Sequence, residues 1–217
     1  MPHFTRLLES FLALLFPERC AGCGKSGELL CVACCSKLAP YPGIVRPITG
    51  LNSVAVAFLF QSPLREAIHA LKYRRRRRVA QPLGQLLGAL AADHAPRVDA
   101  IIPVPMHATR LAERSFNQAE LIARATAIDA GITCCTNGMI RVRATDQQIH
   151  LNAHQRKENM HGAFAWHATT PPPARVLLLD DVFTTGATMS ACALALRDAG
   201  CREVYGIALA RSRPDRA

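Results

Sequence analysis

The stretch VLLLDDVFTTGATM, at residues 176–189, constrains the fold of this chain more than any other part of the sequence. Its four branched apolar residues predict a buried strand, and its last residues begin a helical pattern after a short turn. A strand that leads through a short turn into a helix is the repeating unit of parallel α/β sheets. Between them lie two neighbouring carboxylates, Asp180 and Asp181, whose mutual repulsion a ligand or full solvation has to offset.

Strand and helix patterns alternate through most of the remaining chain. Apolar runs predict strands at residues 54–60, 98–105, 162–166, 175–181 and 203–210, and helical periodicity predicts helices at residues 63–73, 80–92, 116–131 and 187–200. This order predicts one α/β domain at residues 49–217, with a mainly parallel sheet flanked by helices. Residues 39–50, rich in proline and glycine, predict a linker to a small module at residues 1–48.

Five of the nine cysteines crowd into residues 20–35. Two Cys-x-x-Cys pairs can aim four thiolates at one point, and in a reducing compartment this pattern indicates a metal site rather than disulfides. We expect a structural zinc ion, with iron or a redox pair as the alternatives. Four sulfur ligands would leave no open position for catalysis. The predicted ligands are Cys20, Cys23, Cys31 and Cys34, with Cys35 as the alternative to Cys34.

The first residues predict an amphipathic helix rather than a membrane span or a secretory signal. Apolar side chains at residues 4–15 recur at helical spacing, which predicts a face that docks on the protein itself or, alternatively, on a partner or a membrane surface. The apolar run at residues 11–16 is far shorter than the ~20 residues that a bilayer requires. No small-residue cleavage site precedes Cys20. We therefore expect a cytoplasmic protein.

Residues 180–188 have the chemistry of a sugar-phosphate site. In parallel sheets, ligands gather at the carboxyl ends of strands, where loops enter the following helices. The turn at residues 184–188 offers three threonine hydroxyls and, at Gly186, close approach of the backbone to an anion at a helix N-terminus. The two carboxylates suit hydroxyl groups of the same ligand. The sequence contains no Gly-x-x-x-x-Gly-Lys loop, which argues against a nucleoside-triphosphatase acid pair.

These residues resemble the phosphoribosyl-pyrophosphate (PRPP) motif of type I phosphoribosyltransferases: four apolar residues, two acids, two apolar residues and Thr-Thr-Gly-x-Thr. The resemblance implies the type I phosphoribosyltransferase fold, binding of PRPP with Mg²⁺, and a glycosyltransferase reaction. It implies that Asp180 and Asp181 are the catalytic acids and hold the ribose hydroxyls. By the same resemblance, the 5-phosphate is held by Thr184, Thr185, Gly186, Ala187 and Thr188.

Two further blocks resemble the ComF family. They start at Ile101 (IIPVPMHATRLAERSFNQAELIA) and at Arg143 (RATDQQIHLNAHQRKENMHGAF). That family joins an N-terminal four-cysteine module to a phosphoribosyltransferase domain, and its name refers to competence for DNA uptake. The resemblance covers nearly the whole chain. One departure is Ser115, where relatives usually carry glycine.

The same blocks supply candidates for the pyrophosphate side of the pocket and for a mobile loop that closes over the substrate. Departing pyrophosphate is highly charged, so Mg²⁺ and cationic side chains have to stabilise it. Each arginine taken alone could equally be a solvated surface residue, but the spacing of the group favours binding. The second block precedes the strand at residues 162–166, where phosphoribosyltransferases carry that closing loop. The candidates are His107, Arg110 and Arg114 in the first block, and Gln148, Arg156 and Lys157 in the second.

A run of five arginines cannot share one face of a helix: Arg74, Arg75, Arg76, Arg77 and Arg78. It indicates either a solvated segment or contacts to a nucleic-acid backbone, and the formal net charge of +10 favours anionic partners in general. Because the run lies apart from residues 184–188, we expect its replacement to leave PRPP binding unchanged. Two functions remain open: an Mg²⁺-dependent phosphoribosyltransferase, and a catalytically weak accessory protein that binds single-stranded DNA or competence proteins. The sequence does not name the acceptor of the phosphoribosyl group.

Overall fold

The computed structural model describes residues 17–94, 97–143 and 162–212. Helices and strands alternate in these residues largely as the sequence predicts. In chain order they are α1 (Val32–Cys35), β1 (Ser53–Leu59), α2 (Leu64–Tyr73), a 3-10 turn (Arg77–Val79), α3 (Ala80–Ala92), β2 (Ala100–Pro103), α4 (Ala108–Arg114), α5 (Gln118–Ala130), β3 (Met139–Arg141), β4 (Phe164–Trp166), β5 (Arg175–Phe183), α6 (Ala187–Asp198) and β6 (Glu203–Arg211).

Four parallel strands form the main sheet, in the order β1-β6-β5-β2. Helices α2, α3 and α5 pack on one face of this sheet, and α6 packs on the other. The predicted fold class, a mainly parallel sheet flanked by helices, is confirmed.

The apolar first half of β5 follows from its position inside the sheet. Leu177 and Leu179 face the cluster formed by α2, α3 and α5, whereas Val176 and Leu178 face the α6 cluster. All four side chains have 0% exposure. A strand that is buried on both faces has a continuous apolar sequence rather than an alternating one. The apolar run at residues 176–179 therefore predicts a buried position in the sheet.

The strand predicted at residues 162–166 forms as β4, but it lies outside the main sheet. It pairs antiparallel with β3, from Met139 opposite Trp166 to Arg141 opposite Phe164. The sequence did not predict β3, because a strand of three residues is too short to show an alternation pattern. This small antiparallel sheet covers part of the α6 face.

The cysteine-bearing residues pack directly against α2. Cys20, Leu30 and Cys34 belong to the same buried cluster as Leu64. A Cβ added at Gly22 would lie 2.9 Å from the Cβ of Pro63, so the backbone of the first cysteine pair approaches the start of α2 closely. The cysteine-bearing residues and the sheet therefore share one hydrophobic core.

No helix within the described ranges combines the length and the apolar character that crossing a membrane requires. The amphipathic helix predicted at residues 4–15 lies outside the described residues, so its docking surface stays a prediction.

Candidate functional site

Both aspartates lie inside β5, which continues two residues beyond the predicted end at residue 181, to Phe183. Neighbouring strand residues point to opposite faces of a sheet, so the two carboxylates separate. Asp181 lies on the α2 face, where its Oδ2 is 2.8 Å from Nζ of Lys72. The side chains of Lys72 and Asp181 are only 17% and 5% exposed, which makes this a buried ion pair.

Asp180 lies on the α6 face, within electrostatic range of Cys192 of α6 and Arg141 of β3. Its Oδ1 accepts the backbone N–H of Asp181 at 2.8 Å. Burial and, second, the negative charge of Asp181 raise the pKa of Asp180 to about 7, and the charge of Lys72 partly opposes this rise. The carboxyl group of Asp180 therefore gains or loses its proton near neutral pH, and a ligand that donates hydrogen bonds favours the ionised form.

The turn after β5 leads directly into α6, which begins at Ala187. Gly186 has a φ of +83°, which side chains rarely adopt, and a Cβ added there would lie 2.8 Å from Cζ of Phe183. Both the backbone conformation and the packing therefore require glycine. Thr184 and Thr185 are exposed beside the helix N-terminus, where free backbone N–H groups and the helix dipole favour an anion.

Side-chain contacts fix the first turn of α6. The hydroxyl of Thr185 accepts the backbone N–H of Ala187 at 3.4 Å. The hydroxyl of Ser190 donates to the carbonyl oxygen of Thr49 at 2.9 Å, which ties the helix to the segment before β1. Thr188 lies between them and is half-buried. The turn is thus held in place before any ligand binds.

His107 directly precedes α4, and Arg110 lies on that helix, which follows the end of β2. His107 caps the helix, since its Nδ1 accepts the backbone N–H of Thr109 at 3.3 Å. Arg110 lies within electrostatic range of Arg141, the residue that also interacts with Asp180. The structure therefore brings Arg110 into the neighbourhood of the acidic residue on the α6 face.

Arg114, at the end of α4, is held at the C-terminal end of α2. Its guanidinium carbon lies 5.1 Å from the ring centroid of Tyr73, and its Nη1 donates to Oε1 of Gln118 at 3.2 Å. These contacts occupy Arg114 within the protein, so its predicted role at the pyrophosphate side stays a prediction.

Four of the cysteines near the N-terminus form one cluster. Their Sγ atoms all lie within 4.8 Å of one another. The Sγ atoms of Cys20 and Cys34 are 3.6 Å apart, and those of Cys23 and Cys31 are 3.7 Å apart. Four sulfurs at ~2.3 Å from a tetrahedral zinc ion are about 3.8 Å apart, so the arrangement fits zinc. The Sγ of Cys35 instead lies 4.0 Å from the carbonyl oxygen of Leu30, which makes Cys34 the fourth member of the cluster.

Curated relatives match nearly the whole chain. "Competence protein F" of Haemophilus influenzae is 30% identical over 207 residues, which cover 89% of this chain and 90% of the relative. The chain belongs to the ComF family. Another relative, "DNA utilization protein YhgH" of Salmonella typhi, is 31% identical over 201 residues, which cover 89% of this chain and 84% of the relative. No protein-family profile matches the chain.

Solved structures similar to this ComF-family chain include two phosphoribosyltransferases. A hypoxanthine phosphoribosyltransferase from Staphylococcus aureus has 11% identity and a TM-score of 0.40, and the match covers 65% of this chain and 70% of that one. An orotate phosphoribosyltransferase from Aeropyrum pernix has 20% identity and a TM-score of 0.36, and the match covers 69% and 64%. At these values the likeness carries no argument about individual residues.

The departure from the ComF pattern at Ser115 falls on a left-handed backbone conformation. Ser115 ends α4 with a φ of 64° and a ψ of 12°. Glycine adopts this conformation without the steric penalty that serine incurs, which agrees with the glycine that the ComF resemblance implies at this position. Ser115 still caps α4, since its N–H donates to the carbonyl oxygen of Leu111 at 2.7 Å.

We expect Ser115→Gly to raise the free energy of unfolding by about 0.5–1 kcal/mol, because the left-handed penalty disappears. Ser36→Gly is the matched control: Ser36 has an ordinary φ of -66°, so glycine there should lower stability slightly. Urea unfolding measures both variants. A Ser115→Gly variant that is less stable than the wild type would contradict the strain assigned to this position.

The arginine run braces α4. Nη2 of Arg75 donates to the carbonyl oxygen of Glu113 at 3.0 Å, and Nη2 of Arg77 donates to that of Ser115 at 3.0 Å. The guanidinium of Arg77 also lies 4.9 Å from the ring centroid of Phe116. The arginine run predicts either a solvated segment or nucleic-acid contacts, and this internal role has no signal in the sequence. Replacement of Arg75 or Arg77 is therefore not expected to leave the α4 side of the site unchanged.

The same run also contacts the cysteine module. Arg76 donates to the carbonyl oxygen of Arg19, and Arg78 forms an ion pair with Glu18. Within residues 17–94, 97–143 and 162–212, Arg74 has no polar side-chain contact, and it is exposed. Of the five arginines, Arg74 is thus the one that is most available to an external partner.

Two residues of the site were missed, and three candidates cannot be placed. Lys72 follows Leu64 and Ile68 at intervals of four residues on α2, and both of those are fully buried. A lysine in an apolar stripe was the available signal. Arg141 lies on the unpredicted β3. The loop candidates Gln148, Arg156 and Lys157 lie outside the described residues, so the closing loop stays a prediction.

Proposed function

We propose that this ComF-family protein binds PRPP, together with Mg²⁺, at the junction of β5 and α6. The observation that carries the proposal is that a half-buried carboxyl group, Asp180, precedes the left-handed turn at Gly186 by six residues. The pKa of this carboxyl group is raised to about 7 by burial and by the charge of Asp181. The turn offers N–H groups and hydroxyls to a phosphate, and the carboxylate accepts hydrogen bonds from ribose hydroxyls. The 5-phosphate ligands are then residues Thr184, Thr185, Gly186, Ala187 and Thr188.

Phosphoribosyl transfer is the reaction that this ligand offers. The bond between the ribose C1 and a pyrophosphate oxygen breaks, its electron pair leaves with pyrophosphate, and the acceptor forms the new bond to C1. When bound, Mg²⁺ would share the negative charge of the departing pyrophosphate. Arg110 and His107 are the cationic and polar groups of α4 proposed for the pyrophosphate side, and Asp180 holds the sugar in place while the bond breaks.

The four-cysteine cluster is proposed to hold structural zinc. The sulfur spacing fits a tetrahedral ion, and thiolates are ligands that zinc prefers. The cluster packs on α2, and its neighbours Glu18 and Arg19 anchor the arginine run. A bound ion would therefore stabilise the surface on which α2 and α4 rest, and it would take no part in the chemistry.

Calorimetric titration of the wild-type protein tests the PRPP proposal. We expect saturable binding of PRPP that strengthens when Mg²⁺ is added. Ribose 5-phosphate and pyrophosphate, the two halves of the ligand, should each bind more weakly because each contacts only part of the pocket. A titration with PRPP that gives no saturable heat, with or without Mg²⁺ at millimolar concentration, would refute the proposal.

Single-stranded DNA is the second candidate ligand, in keeping with a role in DNA uptake. The names of the relatives refer to competence and to DNA utilization, and those words apply to those proteins. For this chain, the observation that favours DNA is the exposure of two arginines of the run: Arg74, which has no polar side-chain contact among the described residues, and Arg78, whose side chain is 76% exposed. Exposed arginines suit a phosphate backbone whatever its sequence. Competence proteins are the alternative partner for the same surface.

We expect Arg74→Gln to weaken binding of single-stranded DNA equally for all base sequences. The slope of log affinity against log salt should become shallower by roughly 0.7, the value for one lost phosphate contact. Arg202→Gln is the matched control, because Arg202 is exposed at the start of β6, at the opposite end of the strands from the arginine run. Fluorescence anisotropy across a salt series measures both.

Arg77→Gln separates the internal role of the arginine run, which is to hold α4, from its proposed contact with DNA. Because Arg77 holds the carbonyl oxygen of Ser115, this variant should also weaken PRPP binding, whereas Arg74→Gln should not. An Arg74→Gln variant whose salt slope equals that of the wild type would exclude this arginine from the DNA surface.

A further inference from the structure

We infer that Lys72 is the positioning residue of the acid pair: it neutralises Asp181 on one face of β5 and leaves Asp180 as the carboxylate that meets the ligand on the other. The inference rests on the proposed function and refines it, because the motif taken alone assigns the ribose hydroxyls to both acids. The structure divides their tasks. Asp181 forms the ion pair with Lys72 on the α2 face, and Asp180 binds the ribose hydroxyls on the α6 face.

The geometry of Asp181 carries this division. Its carboxylate lies 2.8 Å from the ammonium group of Lys72. Asp181 as a whole is 4% exposed, so a ligand that enters from solvent has almost no access to it. Asp180 is less buried and lies on the opposite face, towards α6 and β3. A sugar at the turn before α6 therefore meets Asp180 first.

The position of Lys72 on α2 is unfavourable unless the acid is present. It continues the face that carries Leu64 and Ile68, both with 0% exposure. An ammonium group in such a stripe destabilises the fold when no anion pairs with it. An apolar residue would pack there without this penalty, so the lysine is explained by its charge opposite Asp181 rather than by packing.

Lys72 also determines how much charge the acid pair can carry. Two neighbouring carboxylates raise each other's cost of ionisation, and one nearby cation offsets that cost. Among the residues that the structure describes, the charged and titratable groups that interact with the pair are Lys72 from α2, Cys192 from α6 and Arg141 from β3, and Arg110 from α4 interacts with Arg141. On the α2 face, the cation that contacts Asp181 is Lys72.

The adjacent residue extends this role to α4. Tyr73, directly after Lys72, carries the guanidinium of Arg114 at 5.1 Å from its ring centroid. The C-terminal end of α2 thus contacts the acid pair with one residue and the end of α4 with the next.

Three variants test the inference: Lys72→Met, Lys72→Arg, and Lys72→Met combined with Asp181→Asn. The first readout is the pKa of Asp180 in the ligand-free protein, followed by carboxyl carbon NMR. We expect Lys72→Met to raise this pKa, because Asp181 is left without its counter-charge. Lys72→Arg should restore the wild-type value, and the double variant should return close to it because it removes both charges. An Asp180 pKa that Lys72→Met leaves unchanged would overturn the inference, whether or not PRPP binds.

The second readout is PRPP affinity as a function of pH. At pH 7, Lys72→Met should weaken binding about fivefold for a one-unit rise of the Asp180 pKa above its value of about 7, and about tenfold for each further unit. The pH at which binding is half-maximal should rise with it, and a merely structural loss would not move that midpoint. The double variant should bind nearly as well as the wild type, since Asp181 does not contact the ligand.

The outcomes distinguish the inference from the proposed function. If the wild type binds PRPP and the double variant has lost this binding, Asp181 touches the ribose directly and the division of tasks is wrong. If the wild type does not bind PRPP, the proposed function fails, and the NMR titration still decides the role of Lys72. The double variant also guards against misfolding, because it removes the buried charge that Lys72→Met leaves unpaired.

Discussion

Cys23→Ser is expected to abolish stoichiometric zinc binding and to lower the melting temperature strongly. Apparent binding free energies of structural zinc in small cysteine modules are about 10–16 kcal/mol, and they contribute directly to folding. Cys23 is the exposed member of the four-thiol cluster, so serine there costs little packing and removes one ligand. Elemental analysis of anaerobically purified protein gives the zinc content, and calorimetry gives the melting temperature.

Cys35→Ser is the matched control for this experiment. Cys35 lies next to Cys34, but its sulfur lies outside the cluster. The control should keep about one zinc ion per chain, as a single four-sulfur site requires. Wild-type protein without stoichiometric zinc or iron would contradict the metal assignment, and equal metal loss in both variants would contradict the choice of ligands.

Loss of the proposed zinc ion should also weaken ligand binding at the proposed PRPP site. The cluster lies against α2, and Glu18 and Arg19 hold two arginines of the run whose neighbours brace α4. In Cys23→Ser we therefore expect weaker PRPP binding than in Cys35→Ser. This coupling runs through contacts rather than through chemistry at the metal.

Asp180→Asn is expected to weaken PRPP binding by tenfold or more. A hydrogen bond to a charged group contributes about 1.5–3 kcal/mol, and asparagine keeps the shape of the side chain without the charge. The single variant is preferable to the double Asp180→Asn/Asp181→Asn variant, because Asp181→Asn would leave the buried Lys72 without its partner. Calorimetry with PRPP and Mg²⁺ measures the loss. Asp198→Asn, an exposed aspartate at the end of α6, is the control and should bind as the wild type does.

The same substitution should change the pH dependence of stability. The pKa of Asp180 is raised to about 7 in the folded protein. In the unfolded chain it is about 3.9. A group whose pKa is raised on folding contributes stability below its unfolded pKa, and this contribution is lost as the pH rises through the folded pKa. Asp180→Asn should therefore gain stability relative to the wild type as the pH rises from about 4 to 7. A stability difference that does not vary over that interval would contradict the raised pKa.

The elements that the sequence predicted well are those with long, consistent patterns. The first half of β5 is buried on both faces and is a continuous apolar run at residues 176–179, and α3 forms at Ala80–Ala92, the predicted range. The end of α5 was predicted from Gly131, which adopts the left-handed φ of 67° that a C-terminal cap requires. Local chemistry was sufficient in these cases.

The hydrophobic and charge patterns of the sequence did not predict contacts between distant segments. Lys72 and Asp181 are far apart in the chain, and only the packing of α2 on β5 brings their charges together. The arginine run has no periodicity that would reveal its carbonyl partners on α4 or its ion pair with Glu18. The choice between Cys34 and Cys35 likewise depended on which sulfur the helix α1 turns towards the cluster.

The division of tasks between the acids shows the same limit. The sequence predicts that two neighbouring carboxylates need compensation, and a ligand was the compensation that the motif implied. Because side chains alternate along the strand, the two carboxylates face opposite sides of the sheet: Asp181 pairs with Lys72, and Asp180 faces α6. Alternation can be predicted from the sequence, and Lys72 stands out in its apolar stripe, but the pairing of Lys72 with Asp181 depends on how α2 packs on β5.

A crystal structure of the wild-type protein with PRPP and Mg²⁺ is the most direct test of the central claim, that the junction of β5 and α6 is a PRPP site. We predict that the 5-phosphate lies at the backbone N–H groups of residues 184–188, with the ribose hydroxyls hydrogen-bonded to Asp180. PRPP bound elsewhere on the protein, or bound with its ribose hydroxyls away from Asp180, would contradict it.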